Sequence, residues 1–168
     1  MANITLGGNP VHTSGNLPQV GSKAPEAILV KTDLSKMSVS DLQGKKVLMN
    51  IFPSVNTGVC SKSVRQFNQE AAELDNTVVV CISRDLPFAQ QQFCAAEGIE
   101  NVEMLSDYIA GAFGKSYGLE MTDGIFEALH SRCVIVLDTD GTVRYTEQVP
   151  EIGEEPNYKA ALEALMDG

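Results

Sequence analysis

The chain has 168 residues, 43% hydrophobic and 20% charged, the size and composition of one ordinary globular domain with its own core, expected to span 1–168. Its 22 acidic and 12 basic residues give a formal charge of −10. That balance repels nucleic acid and anionic lipid, and no Lys/Arg-rich stripe reverses it locally. No basic residue precedes Lys23 and no apolar run is long enough for a signal-peptide core or a membrane span, so the expected location is the cytoplasm.

Asn3–Leu6 and Pro10–Thr13 flank Gly7-Gly8-Asn9 and predict a small N-terminal hairpin, an appendage over 1–16. Ala27–Thr32 is the first candidate core strand, Ser38–Leu42 a short turn of helix, and Lys46–Phe52 a buried strand. Directly after it comes Pro53-Ser54-Val55-Asn56-Thr57-Gly58-Val59-Cys60, followed by a helical pattern in which Cys60, Val64, Phe67, Ala71 and Leu74 form one apolar stripe. Thr77–Ser83 is β-branched and almost uniformly apolar, as in a strand covered on both faces.

Asp85-Leu86-Pro87 begins a second helix, Phe88–Glu97, ended by Gly98, with Cys94 in its middle. Val102–Leu105 reads as a strand, Ile109–Tyr117 as a helix stopped by Gly118, and Leu119–Ser131 as a long irregular stretch. Cys133–Leu137 and Thr142–Gln148 form a hairpin across Asp138-Thr139-Asp140-Gly141, and Asn157–Met166 closes the chain as a helix. This order, parallel crossovers first and an antiparallel hairpin last, predicts an α/β thioredoxin-like fold: a central mixed β-sheet flanked by helices, plus the N-terminal hairpin.

Cys60 falls in the first turn of its helix, where unpaired N–H groups and the helix dipole favour a thiolate. A cysteine on an apolar helix face is ordinarily a small core residue, and this position offers the alternative of a nucleophile. Thr57, three residues earlier, could place its hydroxyl beside the sulfur or serve as the helix N-cap. Pro53 supplies an apolar wall without an N–H. Cys81 and Cys133 lie inside strand patterns and read as buried, inert thiols. Without a secretory signal, four cysteines argue for a transient catalytic disulfide over structural staples. Arg65 is explained by surface pairing with Glu70.

Rival chemistries find less support. A thioredoxin-type reductase needs a second cysteine three residues on, and Cys60-Ser61-Lys62-Ser63 ends in serine. A zinc module lacks any C-x-x-C pair, and His12 and His130 stand alone, so no metal is expected. A non-enzymatic binding or holdase domain is the alternative from a different class.

The spacing P-x-x-x-T-x-x-C of Pro53, Thr57 and Cys60 resembles the active-site motif of the peroxiredoxins. The run Ser83-Arg84-Asp85-Leu86-Pro87-Phe88-Ala89-Gln90-Gln91-Gln92-Phe93-Cys94 is similar to a signature of their atypical two-cysteine branch, the bacterial thiol peroxidases. The resemblance implies reduction of hydrogen peroxide and alkyl hydroperoxides without a cofactor. In that scheme Cys60 is the peroxidatic thiol and Cys94 the resolving one, the two closing an intramolecular disulfide that thioredoxin reduces. It assigns Arg132, just before the strand Cys133–Leu137, to holding thiolate and peroxide, and it implies a homodimer. Asn56 stands where the family commonly has Asp, so one carboxylate near the motif is missing.

Overall fold

The computed structural model describes residues 2–166. A two-stranded sheet, β1 (Asn3–Leu6) with β2 (Asn9–His12), precedes a seven-stranded one. The large sheet contains β3 (Ile28–Lys31), β4 (Lys36–Ser38), β5 (Lys46–Ile51), β6 (Thr77–Ser83), β7 (Glu103–Ser106), β8 (Cys133–Leu137) and β9 (Val143–Gln148), in the order β4-β3-β7-β6-β5-β8-β9. β5, β6 and β7 run parallel, while β3, β4, β8 and β9 join by antiparallel pairings. The helices are α1 (Gly58–Ala71), α2 (Pro87–Glu97), α3 (Ala112–Ser116) and α4 (Tyr158–Met166), with a 3-10 turn at Val39–Leu42. The architecture is thioredoxin-like, as the order of elements predicted.

Strand periodicity divides β5 between two cores. Val47, Met49 and Ile51 face a cluster with Ile82, Leu105, Phe113, Tyr117 and Ile135 on the α3 side. Leu48 and Phe52 face Val64, Phe67, Val79, Val134, Ala161 and Leu165 under α1 and α4, with Phe93 and Cys94 of α2 packed against them. The parallel strands are thus covered on both faces, which explains their continuous apolar runs.

Register positions the chemistry. Ile51 pairs with Ile82 on one side and with Cys133 on the other. The loop after β5 therefore emerges between the end of β6, which leads to Asp85, and the beginning of β8, which comes directly after Arg132. This is the crevice beyond the carboxyl ends of parallel strands, where α/β sheets place their sites.

Two elements differ from the sequence expectation. The helix expected over Ile109–Tyr117 is confined to Ala112–Ser116 because Ala110 and Gly111 adopt left-handed conformations (φ +56° and +65°). The buried Asp107 carboxylate then accepts the N–H groups of Phe113 and Gly114, both at 3.0 Å, fixing where the helix begins. Ser38 ends β4, a short strand that the sequence pattern does not announce, and is the N-cap of the 3-10 turn.

In the N-terminal hairpin Leu6 pairs with Asn9, and the two-residue turn uses Gly7 and Gly8 at φ +59° and +83°. Ile4 and Val11 pack with Met121 and Ile152. Thr5 exchanges backbone hydrogen bonds with Pro150 (2.8 Å) and Ile152 (2.9 Å). The Glu151 carboxylate accepts from Gly8 N (2.9 Å), Gly7 N (3.3 Å), Gly153 N (2.8 Å) and Thr5 Oγ1 (3.0 Å). Those donors, the Gly153 amide foremost, hold its carboxyl down to about 2 from an ordinary 4.5.

Because the folded-state value is depressed, the stabilisation from Glu151 is complete above pH 4.5 and disappears as the pH falls towards about 2. Amide exchange at Gly7 and Gly8 should accelerate across that window relative to the core strands. Glu151→Gln should exchange fast at these amides at neutral pH and lose the acid dependence.

Candidate active site

The backbone of β5 continues its ladder through Phe52, whose N–H reaches Ile82 O at 3.2 Å, before the buried Pro53, which has no N–H to offer, turns the chain away. Thr57 occupies the N-cap position of α1 with extended backbone (φ −98°, ψ 146°). Its hydroxyl does not cap the helix. It donates instead to Ser54 O at 3.2 Å, the same oxygen that accepts Thr57 N at 3.2 Å. This orients the threonine oxygen so that its lone pairs remain available as acceptors.

Cys60 is the third residue of α1 and its side chain is fully buried. Arg132 Nη2 donates to its sulfur at 3.2 Å, while Nε donates to Ile152 O at 2.8 Å. Arg132 is only 2% exposed, and its Nη1 is buried with no protein acceptor among the described residues. A guanidinium removed from water at this cost depends on acceptors within the protein, and Ile152 O and the Cys60 sulfur meet two of its nitrogens. Cys60 also lies in the first turn of α1, at the positive end of the helix dipole. Further out, the Tyr158 hydroxyl, with help from Lys62 and Arg132, keeps the Glu155 carboxyl below its ordinary range.

All four cysteines are free. Burial pushes the Cys81 and Cys133 thiols up to about 12, so both are neutral at physiological pH. Cys94 is half-buried, and burial raises its thiol in the same direction. It begins the last turn of α2 and not the middle: its carbonyl accepts from the left-handed Gly98 and from Ile99 at 3.0 Å. The side chain lines a cavity of about 300 Å³ together with Gln91, Glu100 and Glu103.

Pro53, Thr57, Cys60 and Arg132 thus meet at one end of the sheet, and Cys94 packs against the same core cluster that contains Cys60. Arg65 does not pair with Glu70. It reaches Glu97 at the end of α2 at 3.2 Å, and Glu70 accepts from Gln66, the true i, i+4 neighbour. Neither histidine stands alone: His12 lies 2.7 Å from Asp123, and His130 lies 2.8 Å from Asp107 with both side chains buried. Among the described residues no three His, Cys, Asp or Glu side chains gather as a metal ion would need. Sequence reasoning missed Asp85, which accepts from Ser54 Oγ (2.7 Å), Val55 N (2.9 Å) and Ser83 Oγ (2.7 Å). Its position within the Ser83–Cys94 segment was the available signal.

Residues 19–162 match the family described as Redoxin. The chain belongs to that family. A thiol peroxidase from Mycobacterium bovis is 52% identical over 165 residues, covering 98% of this chain and 99% of the relative. A thiol peroxidase from Streptococcus pneumoniae is 50% identical over 161 residues, covering 96% and 97%. Among solved structures, a peroxiredoxin-like protein from Aquifex aeolicus superposes with a TM-score of 0.94 at 34% identity, covering 99% of this chain and 97% of that one. This redoxin is therefore a close homologue of the bacterial thiol peroxidases within the peroxiredoxin group.

Alkylation of the native protein at neutral pH should leave Cys81 and Cys133 unmodified until denaturant is added, as peptide mass mapping would register. Cys81→Ala and Cys133→Ala should each cost about 1 kcal/mol in denaturant unfolding, the effect of a small core cavity.

Proposed function

We propose that the protein is a thiol peroxidase in which Cys60 attacks the peroxide and Cys94 resolves the product, with thioredoxin as reductant. The contact that carries this reading is the buried Arg132 Nη2 donating to Cys60 Sγ at 3.2 Å. Close homology to thiol peroxidases supports peroxide reduction by cysteine chemistry, and the residues around Cys60 give it a mechanism.

The thiolate attacks one oxygen along the O–O axis: an S–O bond forms, the O–O bond breaks, and the alkoxide or hydroxide leaves as alcohol or water after taking a proton. The two electrons come from sulfur, which becomes a sulfenic acid. Arg132 holds the sulfur through Nη2, and its spare Nη1 donor can meet the peroxide as charge moves onto oxygen. Thr57, with its own proton committed to Ser54 O, accepts from the peroxide O–H. Pro53 and Phe52 keep competing water from the sulfur.

In the second step the Cys94 sulfur displaces the sulfenic oxygen as water, leaving a disulfide, and a dithiol such as thioredoxin returns both thiols. A disulfide needs Cα atoms about 4.4–6.8 Å apart. Cys60 and Cys94 are each held by helical backbone, so the last turn of α2, the first turn of α1 or both must open. The chain acts as one domain over 1–168 with 1–16 as its hairpin appendage, works in the cytoplasm, and pairs as a homodimer. No described helix is long and apolar enough to cross a membrane.

Cys60→Ser should abolish hydrogen peroxide consumption coupled to reduced thioredoxin. Cys94→Ser should consume one equivalent, stop at a sulfenic acid trappable by dimedone, and fail to turn over. Full turnover by either variant would overturn the reading. Arg132→Met and Thr57→Val should each slow the first step by about tenfold or more while the fold is kept, measured under single-turnover conditions.

A further inference from the structure

The hydrogen bonds around Asp85 join the loop that presents Cys60 to the helix that carries Cys94. On the loop side, Asp85 Oδ1 accepts from Ser54 Oγ at 2.7 Å and Oδ2 accepts from Val55 N at 2.9 Å. Ser54 in turn organises the next residues of the loop. Its hydroxyl accepts Asn56 N at 3.1 Å, and its carbonyl accepts both the amide and the hydroxyl of Thr57. The conformation of residues 54–57 therefore rests on one carboxylate.

On the helix side the same carboxylate accepts from Ser83 Oγ at 2.7 Å. A hydroxyl has one proton and two lone pairs, and Ser83 uses all three: it donates to Asp85 and accepts from Asp85 N (3.3 Å) and Gln90 Nε2 (3.2 Å). Gln90 is fully buried, and its second amide proton goes to Leu105 O at 2.9 Å. It lies four residues before Cys94 on α2, so these two bonds pin the helix one turn ahead of the resolving thiol. Ser106 Oγ also donates to the Asp85 carbonyl, fixing the point where the chain leaves β6 for α2.

We propose that Asp85 is a positioning residue for the peroxidase reaction: it holds the Cys60 loop in its peroxide-reactive form and, through Ser83 and Gln90, ties that loop to the Cys94 helix. The inference rests on the roles given above to Cys60 and Cys94. While the network is closed, Thr57 is set for peroxide and α2 resists unwinding. Opening of α2 that extends back from Cys94 to Gln90 breaks the Gln90 bonds to Ser83 and Leu105 and loosens the loop, so the enzyme exchanges reactivity towards peroxide for reactivity towards its own thiol. The two half-reactions consequently depend on the network in opposite directions.

The chain has no tryptophan, so rapid quenching with mass spectrometry suits the test, resolving sulfenic acid from disulfide after a single peroxide addition. In Asp85→Asn the sulfenic acid should form about tenfold more slowly, whereas disulfide formation should be as fast as in the unaltered protein or faster. Gln90→Met, which conserves volume, should raise the rate of disulfide formation relative to sulfenic acid formation about threefold or more. Ser54→Ala cuts only the loop branch and carries the test if Asp85→Asn does not fold; it should slow the first step alone. Unchanged half-reactions, or both slowed by a common factor as general loosening would produce, overturn the proposal. Failure of the unaltered protein to pass from a Cys60 sulfenic acid to a Cys60–Cys94 disulfide would instead overturn the roles on which it rests.

Discussion

A guanidinium almost without access to water, facing a cysteine sulfur and hydrogen-bonded to no carboxylate among the described residues, is the constraint on which this molecule turns. Isolated in the interior, the Arg132 charge would cost several kcal/mol. The fold offsets part of that through the hydrogen bonds from Arg132 to Ile152 O and to the Cys60 sulfur. Much of the architecture can be read as holding this pair together. Antiparallel pairing of β8 with β5 brings Arg132 alongside the beginning of the Cys60 loop. The N-terminal hairpin contributes from a distance: Thr5 O accepts Ile152 N, and Ile152 O accepts Arg132 Nε. An apparent appendage therefore supports the acceptor that orients Arg132 beside Cys60.

Four cysteines on one scaffold show how environment assigns chemistry to a side chain. Cys81 and Cys133 sit in central strands where burial outweighs their weak hydrogen bonds, and both stay protonated. Cys60 is equally buried, yet it has a cation at 3.2 Å and lies in the first turn of a helix. Cys94 is half-exposed near a helix end, where local opening is least costly. Sequence position alone separates the strand cysteines from the helical ones; the cation beside Cys60 is a tertiary fact.

The parts legible in the sequence were those with local causes. The stripe of Cys60, Val64 and Phe67 specified α1, the apolar run Thr77–Ser83 specified β6, and the turn between β5 and α1 marked the candidate site. Arg132 was assigned through resemblance and not through pattern, since a charge at a strand entrance is ordinarily solvated. Pairings between residues far apart in the chain escaped. Asp107 caps α3 and also meets His130, a partner 23 residues away, and neither segment announces the other. Arg65 finds Glu97 on a neighbouring helix in place of a partner on its own. Left-handed Ala110 is a conformation that alanine's local preferences oppose, accepted because Asp107 fixes the first turn of α3.

The most direct measurement of the account is disulfide mapping by peptide mass spectrometry after the fully reduced protein receives one equivalent of hydrogen peroxide. A single intramolecular link between Cys60 and Cys94 is expected, with Cys81 and Cys133 recovered as thiols. A link involving Cys81 or Cys133, or oxidation that leaves Cys60 as a free thiol, would contradict it.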